Sequence, residues 1–377
     1  IVGNMSAALI DLVSVGAQDV YITGDPQVSF FRQNYKRHTN FAIKPERLDF
    51  VGKFLSGNEV SIPIKSKGDL LSYIWLEGTN INNSNAPTSI FNSDATPNDY
   101  TQPTEFSLWV GGQEVCKLDT GFINTVHTHM YNENQAKAST FASCDGGGSN
   151  QSLNTYVIPF FFSEDWTKSL PLVGLQYHEV EVRIKCRNGD FGNTTVKAYA
   201  SYVFLDTEER EFFANNEHEL LITQTQYQPM DQNDTNVDLT YFNHPVKSIH
   251  IAKSGSGATY LFDTASLYIN GTLLFENMSH EYHRYVVPQN HCSVLAEGGD
   301  ELPIASWPFC LTMNKSQPTG SLNFSRIDNA KITIVSPSSP GNPPTGNDAK
   351  CHFARCYAVN YNILRIKNGM GGIAFGN

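Results

Sequence analysis

The two halves of the sequence contain similar short blocks in the same order, and this repetition limits the fold more than any other feature. Three pairs keep a nearly constant separation of roughly 150–160 residues, the size of one domain. The pairs are LWVGG and LYING (108–112, 267–271), PLVGLQY and PTGSLNF (171–177, 318–324), and YVFL and YNIL (202–205, 361–364). A fourth pair, VSIPI at 60–64 and VDLTY at 237–241, has a larger separation, which an insertion at 80–104 explains. The pattern predicts two copies of one domain, joined near 206–216.

Short segments in both copies alternate apolar and polar residues, which indicates strands with one buried face. Examples are EVSIPI, VEVRIKC, SLYIN and AKITIVS (59–64, 180–186, 266–270, 330–336). Charged residues are only 17% of the chain, and Gly, Pro and Asn clusters separate the segments, as in sandwiches and barrels. Each copy has room for about eight strands. The sequence therefore predicts an all-β chain of two tandem eight-stranded jelly-roll sandwiches, a double jelly roll, with short helices in loops.

Two segments are expected to be helical, and the domain boundaries follow from the repetition. Residues 119–135 place Phe122, Val126 and Met130 on one stripe, and residues 275–286 do the same with Met278, Tyr282 and Tyr285. We expect an N-terminal arm at 1–25, a first jelly roll at 26–210 and a second at 211–377.

The charge and cysteine content exclude several classes of function. The formal net charge is −11, so direct, sequence-specific nucleic-acid binding is not expected, although a basic cluster lies at Arg32, Lys36, Arg37 and His38. The first 20 residues lack the basic region of a secretory signal, and the sequence has no apolar run long enough to span a membrane. The seven cysteines are odd in number and form no CxxC pair, which favours reduced, mostly buried thiols.

No motif for catalysis, cofactor binding or metal binding emerges. HEYH at 280–283 has the wrong spacing for a zinc protease, and a chance polar helix face explains it better. YHE at 177–179 is interpreted as part of a strand, with His178 on the opposite face from its neighbours. NGMGGIAFGN at 368–377 is interpreted as a tight terminal turn, because no helix follows it to hold a phosphate. We therefore predict that the chain is not an enzyme and needs no cofactor.

Several blocks carry a resemblance to one family. GAQDVYITGDPQVSFFRQNYKRHTNFA at 16–42 resembles the N-terminal signature of the major capsid proteins of nucleocytoplasmic large DNA viruses, and most closely that of the phycodnavirus-like group. Five further blocks resemble the same family in order along the chain. They are LPLVGLQYHEVEV (170–182), YVFLDTEER (202–210), FNHPVK (242–247), NFSRIDNA (323–330) and YNILRIKNGMGGIAF (361–375).

The resemblance implies a structural role in a virion. Three chains are expected to form a homotrimeric capsomer with a pseudo-six-fold outline, assembled in the host cytoplasm. Capsomers would tile an icosahedral shell around an internal membrane and double-stranded DNA. The expected partners are neighbouring capsomers, minor capsid proteins and the internal viral membrane. Arg32, Lys36 and Arg37 are candidates for contact with minor capsid proteins or anionic lipid inside the shell, the alternative being a solvated loop face.

Glycosylation is expected in the loops, because capsid proteins that resemble this one often carry sugar, sometimes outside the usual Asn-x-Ser/Thr triplet. Among the triplets, those in polar loops are the better candidates. A Pro/Gly-rich loop at 336–348 adds two asparagines. The candidates are Asn82, Asn150, Asn233, Asn342 and Asn347.

Two other functions are compatible with a β-sandwich. One is a carbohydrate-binding or carbohydrate-processing protein, which needs convergent carboxylates or exposed tryptophans. The other is a receptor-binding module, which could coexist with a capsid role in the outer loops. A stable trimer favours the capsid subunit, whereas a monomer that binds glycans favours the carbohydrate-binding protein.

Overall fold

The computed structural model describes residues 13–78, 103–131, 155–186, 196–230, 235–253, 262–292, 304–335 and 353–376. The chain divides into two compact units, Ile1–Asn40 and Phe41–Asn377. In the first unit, the described residues form one helical turn, α1 (Val20–Thr23), and otherwise irregular structure. All the sheets belong to the second unit.

The first half of the second unit is a sandwich of two antiparallel sheets. Sheet A contains, in spatial order, β1 (Phe41–Leu48), β9 (Lys197–Leu205), β3 (Leu70–Glu77) and β6 (Thr155–Ile158), and the two-residue β7 (Leu170–Pro171) also pairs with β3. Sheet B contains β2 (Glu59–Ile64), β8 (Val180–Lys185), β4 (Glu105–Val110) and β5 (Gln113–Asp119). Eight strands distributed in this order between two sheets form a jelly roll.

The second half repeats this arrangement strand for strand. Sheet C contains β10 (His218–Pro229), β18 (Phe353–Lys367), β12 (Pro245–Lys253) and β15 (Ile304–Pro308), with β16 (Leu322–Asn323) beside β12 and β19 (Met370–Ile373) beside β18. Sheet D contains β11 (Asn236–Asp238), β17 (Ala330–Val335), β13 (Thr264–Ile269) and β14 (Thr272–Ser279). The predicted double jelly roll is confirmed.

Strand pairing gives the register of the duplication. Leu108 pairs with Val182 in the first copy, and Leu267 pairs with Ile332 in the second, so the match of LWVGG with LYING is correct. The other matches are displaced by a few residues. For example, Val237 also pairs with Ile332, and in the first copy Ile62 pairs with Val182. Val237 is therefore equivalent to Ile62, whereas the sequence match had aligned it with Val60.

The central strands show the same small displacement. Leu71 pairs with Tyr202 and Val246 pairs with Asn360, in each case next to a bulge at the same position of the strand. Tyr202 is therefore equivalent to Asn360, one residue before the tyrosine that the sequence match selected. The strands β7 and β16 are equivalent as well, and they align Pro171 with Asn323 and not with Pro318.

The hairpins β4–β5 and β13–β14 turn at equivalent residues. Gly111 and Gly112 have φ angles of 58° and 81°, and Asn270 and Gly271 have φ angles of 47° and 77°. Two consecutive residues with positive φ form the turn type that matches the twist of a two-residue hairpin, which is why glycine and asparagine stand there.

Both predicted helices begin later in the chain than the sequence indicated. In the first copy a π-helix covers Phe122–Tyr131, and residues 132–135 lie outside the described part. In the second copy the prediction at 275–286 is wrong in its first half, because β14 continues to Ser279. A π-helix at Tyr282–Val286 and α3 (Val287–His291) follow. Asn277 takes a left-handed conformation (φ 44°) at a bulge, and this shifts the apolar spacing toward a helix-like period.

Among the described residues, two hydrophobic clusters form the core, and the first crosses from one jelly roll into the other. It contains the inward side chains of sheets A and B together with side chains of the second copy, among them Ile222, Val359, Leu364 and Ile366. The second cluster lies within sheets C and D. A short helix, α2 (Thr207–Asn215), connects the two copies. Because apolar packing continues across the junction, the two jelly rolls are held side by side.

Candidate functional site: the junction between the jelly rolls

An ion pair lies at the centre of the junction. Arg355 Nη1 of β18 donates to Asp119 Oδ2 at the end of β5, at 2.8 Å, and the two side chains are 7% and 3% exposed. The other carboxylate oxygen of Asp119 accepts from the backbone N–H of Phe122 at 2.7 Å and from the hydroxyl of Tyr357 at 2.9 Å. The guanidinium of Arg355 also lies 3.9 Å from the ring centre of Tyr227. These contacts connect the end of β5 in the first copy to β18 in the second through charge-assisted hydrogen bonds.

A buried lysine forms a second polar contact at the junction. Lys247 lies in the β12 bulge and is 2% exposed, with Nζ donating to the Met313 carbonyl at 3.0 Å and lying 4.6 Å from the ring centre of Tyr131. Burial lowers the pKa of Lys247, and the negative charge of Glu164 partly offsets this effect. The equivalent bulge residue in the first copy is Ser72, so a cation stands at this bulge in the second copy and a hydroxyl in the first.

Glu164 connects the first copy to that cation. Its carboxylate accepts from Lys168 Nζ at 2.6 Å and from the hydroxyl of Thr223 on β10. Against the raising effect of burial, Lys247 and Lys168 lower the pKa of Glu164. A cavity of about 20 Å³ lies beside Glu164, His127 and Thr223, a volume suited to one water molecule.

Burial lowers the pKa of two histidines at the junction, His250 and His127. His250 is fully buried, with Nδ1 2.7 Å from Ser306 Oγ and Nε2 2.9 Å from Ser248 Oγ, and burial lowers its pKa to about 3. His127 stacks on the ring of Tyr131, and burial lowers its pKa to about 4. Neither histidine is tuned to exchange protons near pH 7.

The glycine-rich C-terminal stretch is a hairpin that packs on the first jelly roll. The Tyr177 N–H donates to the Gly369 carbonyl at 2.9 Å, and His178 Nδ1 lies 2.9 Å from the Gly371 carbonyl. A Cβ at Gly371 would lie 2.7 Å from Leu175 Cδ2 and 3.1 Å from Val110 Cγ1, so the hairpin packs closely on side chains of the first jelly roll. The interpretation as a tight terminal turn is correct. His178 and its neighbours, however, precede β8 and do not form part of the strand.

The HEYH histidines are buried, contrary to the predicted polar helix face. His280 and His283 are 2% and 0% exposed, and His283 Nδ1 lies 2.8 Å from the Ser306 carbonyl oxygen. The ring centres of His283 and Trp307 are 4.6 Å apart. The π-helix lies over the sandwich, so side chains that would face solvent on an isolated helix face the core here.

The described residues contain no cluster of metal-ligating side chains. No three His, Cys, Asp or Glu side chains among them could hold an ion. Their five cysteines form no disulfide, and burial raises the pKa of each thiol, to about 12 for Cys292. No described helix has the length and apolar character to cross a membrane.

A groove of about 210 Å³ lies between β5 and β10, and its polar groups are largely used within the protein. Gln224 donates to the Val115 carbonyl and accepts from the side-chain amides of Asn360 and Asn362. Gln113 accepts from the backbone N–H of Ile373 at 3.2 Å. The junction therefore serves to orient the two jelly rolls.

The candidate residues chosen from the sequence lie elsewhere. Arg32, Lys36 and Arg37 are exposed in the first unit, in a stretch without regular structure. The glycosylation candidates Asn82, Asn150, Asn233, Asn342 and Asn347 lie outside the described residues. The junction residues Asp119, Arg355 and Lys247 escaped sequence reasoning. The sequence signal for these residues was weak, because it consisted only of a charged residue at the end of one predicted strand, Asp119, and of two charged residues within apolar strands, Arg355 and Lys247.

Family comparisons agree with the fold and the duplication. Residues 29–206 match the family model "Major capsid protein N-terminus", and residues 252–372 match the model "Large eukaryotic DNA virus major capsid protein". The major capsid protein of Pyramimonas orientalis virus is 30% identical to this chain, over 99% of the chain and 100% of that protein. The chain belongs to the family of large eukaryotic DNA virus major capsid proteins.

Other members of the family support this assignment. The major capsid protein of Paramecium bursaria Chlorella virus 1 is also 30% identical, over 99% of this chain and 100% of that protein. The capsid protein in the quasi-atomic model of the PBCV-1 virus capsid superposes with a TM-score of 0.73 and 26% identity, covering 93% of this chain and 100% of that one. These matches confirm the resemblance seen in the sequence. A major capsid protein is a component of the virion.

Proposed function

We propose that three copies of this chain form a homotrimeric capsomer with a pseudo-six-fold outline, and that such capsomers tile an icosahedral shell around double-stranded DNA. The observation that carries the proposal is the pair of equivalent jelly rolls held side by side by a shared core and a buried ion pair. Two similar lobes in each chain give a trimer six similar lobes. One gene product can then fill a roughly hexagonal position in a closed lattice.

The partners follow from this role. They are two further copies of the chain, neighbouring capsomers, minor capsid proteins and the internal viral membrane, with assembly in the host cytoplasm. The exposed Arg32, Lys36 and Arg37 are the candidates for contact inside the shell. We keep the division into an arm at 1–25, a first jelly roll at 26–210 and a second at 211–377 as the working domain description.

The role is structural, without catalysis or sequence-specific contact with nucleic acid. In support, the charged groups at the junction hold one another and do not converge on an open pocket. Sugar attachment at Asn82, Asn150, Asn233, Asn342 and Asn347 is part of the proposal. Mass analysis of intact glycopeptides from virions tests it site by site.

The alternative of a carbohydrate-binding sandwich gains little from the tryptophans. Trp307 is fully buried, Trp75 stacks on Tyr199, and Trp109 lies under the guanidinium of Arg183. Trp166 is 68% exposed, without a second exposed tryptophan among the described residues. A sugar platform usually needs several convergent groups.

Native mass spectrometry of the purified chain tests the capsomer. We expect one dominant species at three times the 41.9 kDa chain mass, and particles with a hexagonal outline in electron micrographs. A chain that stays monomeric at micromolar concentration and binds defined glycans on an array would contradict the proposal.

A further inference from the structure

The second copy covers one edge strand of the first. Val115 lies at a bulge of β5 and is 1% exposed, and its carbonyl accepts from the side-chain amide of Gln224 on β10. The ammonium of Lys117 lies 5.8 Å from the ring centre of Tyr227, also on β10. Within one chain, therefore, the β5 edge of the first jelly roll packs against the first strand of the second.

Among the described residues, no strand covers the equivalent edge of the second jelly roll in this way. Leu267 pairs with Phe275 as Leu108 pairs with Cys116, and a bulge residue precedes each partner. The bulge residue that corresponds to the buried Val115 is therefore Leu274, which is 50% exposed. A leucine stands at the position that packing buries in the other copy.

The helices that follow these edges show the same contrast. The π-helices begin at the equivalent residues Phe122 and Tyr282. The fourth and fifth residues of the first are Thr125 and Val126, which are 3% and 0% exposed. Their counterparts in the second are Tyr285 and Val286, which are 54% and 46% exposed. We call Leu274, Glu276, Tyr285 and Val286 the β14 face.

The strand that could cover the β14 face is β1, the counterpart of β10. Arg47 pairs with Tyr199 in sheet A as Tyr227 pairs with Tyr357 in sheet C, and this aligns the two strands. Strand β1 lies at the edge of its sheet and carries two partly exposed apolar side chains, Phe41 (48%) and Ile43 (44%). An edge strand with exposed apolar residues is a surface suited to association.

We propose that the β14 face of one copy packs against strand β1 of a second copy, repeating between chains the contact that β5 and β10 make within one chain. The inference rests on the proposed trimer and identifies the surfaces that close it. The occupant is a second copy because β10, the strand that covers the edge of the first jelly roll, has its only structural counterpart among the described strands in β1.

Charge complementarity supports this pairing. Glu276 follows Phe275 as Lys117 follows Cys116, so Glu276 occupies the place of Lys117. Arg47 occupies the place of Tyr227, over which Lys117 lies. Both Glu276 and Arg47 are exposed in the single chain. In the proposed contact a glutamate of one copy faces an arginine of the next, an attractive pair that recurs three times in a closed trimer.

The contact between chains lacks the central ion pair of the junction. Ser279 pairs with Thr264 as Asp119 pairs with Glu105, so serine replaces the buried aspartate. Lys197 is the counterpart of Arg355 and is exposed. The contact between copies therefore relies on apolar packing and exposed charges, which suits subunits that fold first and associate afterwards.

A charge-swap experiment tests the pairing. Native mass spectrometry over a dilution series gives the trimer fraction for Glu276→Arg, for Arg47→Glu and for the double variant. We expect each single variant to lower the trimer association constant by about tenfold or more, and the double variant to recover most of it. Glu208→Arg, a charge reversal on the exposed side of α2, is the matched control and should leave the trimer unchanged. Failure of the double variant to recover the trimer would overturn the pairing.

Leu274→Asp tests the apolar part independently of the charges. Its side chain is half exposed in the single chain, so we expect a folded monomer with an unchanged circular dichroism spectrum and a loss of trimer above a hundredfold. Tyr241→Asp, at another exposed site, should keep the trimer. A trimeric Leu274→Asp variant would refute the proposed face while leaving the capsomer intact, whereas a monomeric wild-type chain would refute the capsomer itself.

Discussion

Replacement of Arg355 by methionine tests whether the buried ion pair holds the two jelly rolls together. The change removes the cation 2.8 Å from Asp119 and leaves a carboxyl group that is 3% exposed. Asp119 keeps the hydrogen bonds from Phe122 and Tyr357, but it must stay charged in an apolar site or take up a proton. Loss of one partner of a buried pair costs about 3–5 kcal/mol, and we expect a decrease of this size in the free energy of unfolding.

A second ion pair on the same strand provides the control. Arg365 donates to Glu219 at 2.6 Å, but the two side chains are 55% and 56% exposed. Because solvent screens an exposed pair, Arg365→Met should change the free energy of unfolding by less than about 1 kcal/mol. Urea unfolding followed by tryptophan fluorescence, at one fixed protein concentration, measures both variants.

A double-mutant cycle separates the pair from its surroundings. The Asp119→Asn change leaves the buried guanidinium with Glu105 at 3.6 Å, and we expect it to be destabilising as well. In the Asp119→Asn, Arg355→Met double variant no unpaired charge is left between the two positions, so the loss should be smaller than the sum of the single losses by about 2–3 kcal/mol. Equal losses for Arg355→Met and Arg365→Met, or strict additivity in the cycle, would refute the reasoning.

Two further predictions concern the hairpin turn and pH. Gly111→Ala should lower the melting temperature by several degrees more than Gly112→Ala. Both residues have positive φ, but only at Gly111 would a Cβ lie 2.2 Å from the His178 ring. Thermal unfolding of the two variants measures the difference. His250, whose pKa falls from 6.5 to about 3 through burial, stays neutral in the folded state but takes up a proton in the unfolded state below pH 6.5. The contribution of His250 to the free energy of unfolding is therefore fully present above pH 6.5. About 2 kcal/mol of that free energy is lost as the pH falls from 7 to 5. Urea midpoints across this range should fall less steeply for His250→Gln, and parallel pH profiles would contradict the assignment.

The sequence was informative where local periodicity and tertiary burial agree. The alternation in VEVRIKC and EVSIPI predicted β8 and β2 to within a residue, because each strand has one face in a core and one in solvent. The prediction at 275–286 was wrong in its first half because the bulge at Asn277 changes the phase of the apolar residues, and one sequence does not reveal a bulge. The matched blocks identified the duplication, but the register needed the pairing of Leu71 and Val246 with their partners.

The junction shows where sequence reasoning stops. Asp119 and Arg355 are 236 residues apart in the chain, and nothing in the residues around either one indicates the other. His280 and His283 look like a polar helix face when they are considered as an isolated segment, yet both are buried. Burial depends on what packs against a segment, and that partner comes from distant parts of the chain.

Local composition and the order of blocks along the chain were enough to indicate the tandem duplication, the strand periodicity and the capsid-protein family. Which edge of each jelly roll is covered became visible only in the folded chain. The edge strands β5 and β14 are equivalent in topology, but one packs against β10 and the other leaves Leu274 half exposed. That difference arises from how the two domains pack side by side. Such packing brings together residues that are far apart in the chain, and local sequence patterns do not indicate which of them will be in contact.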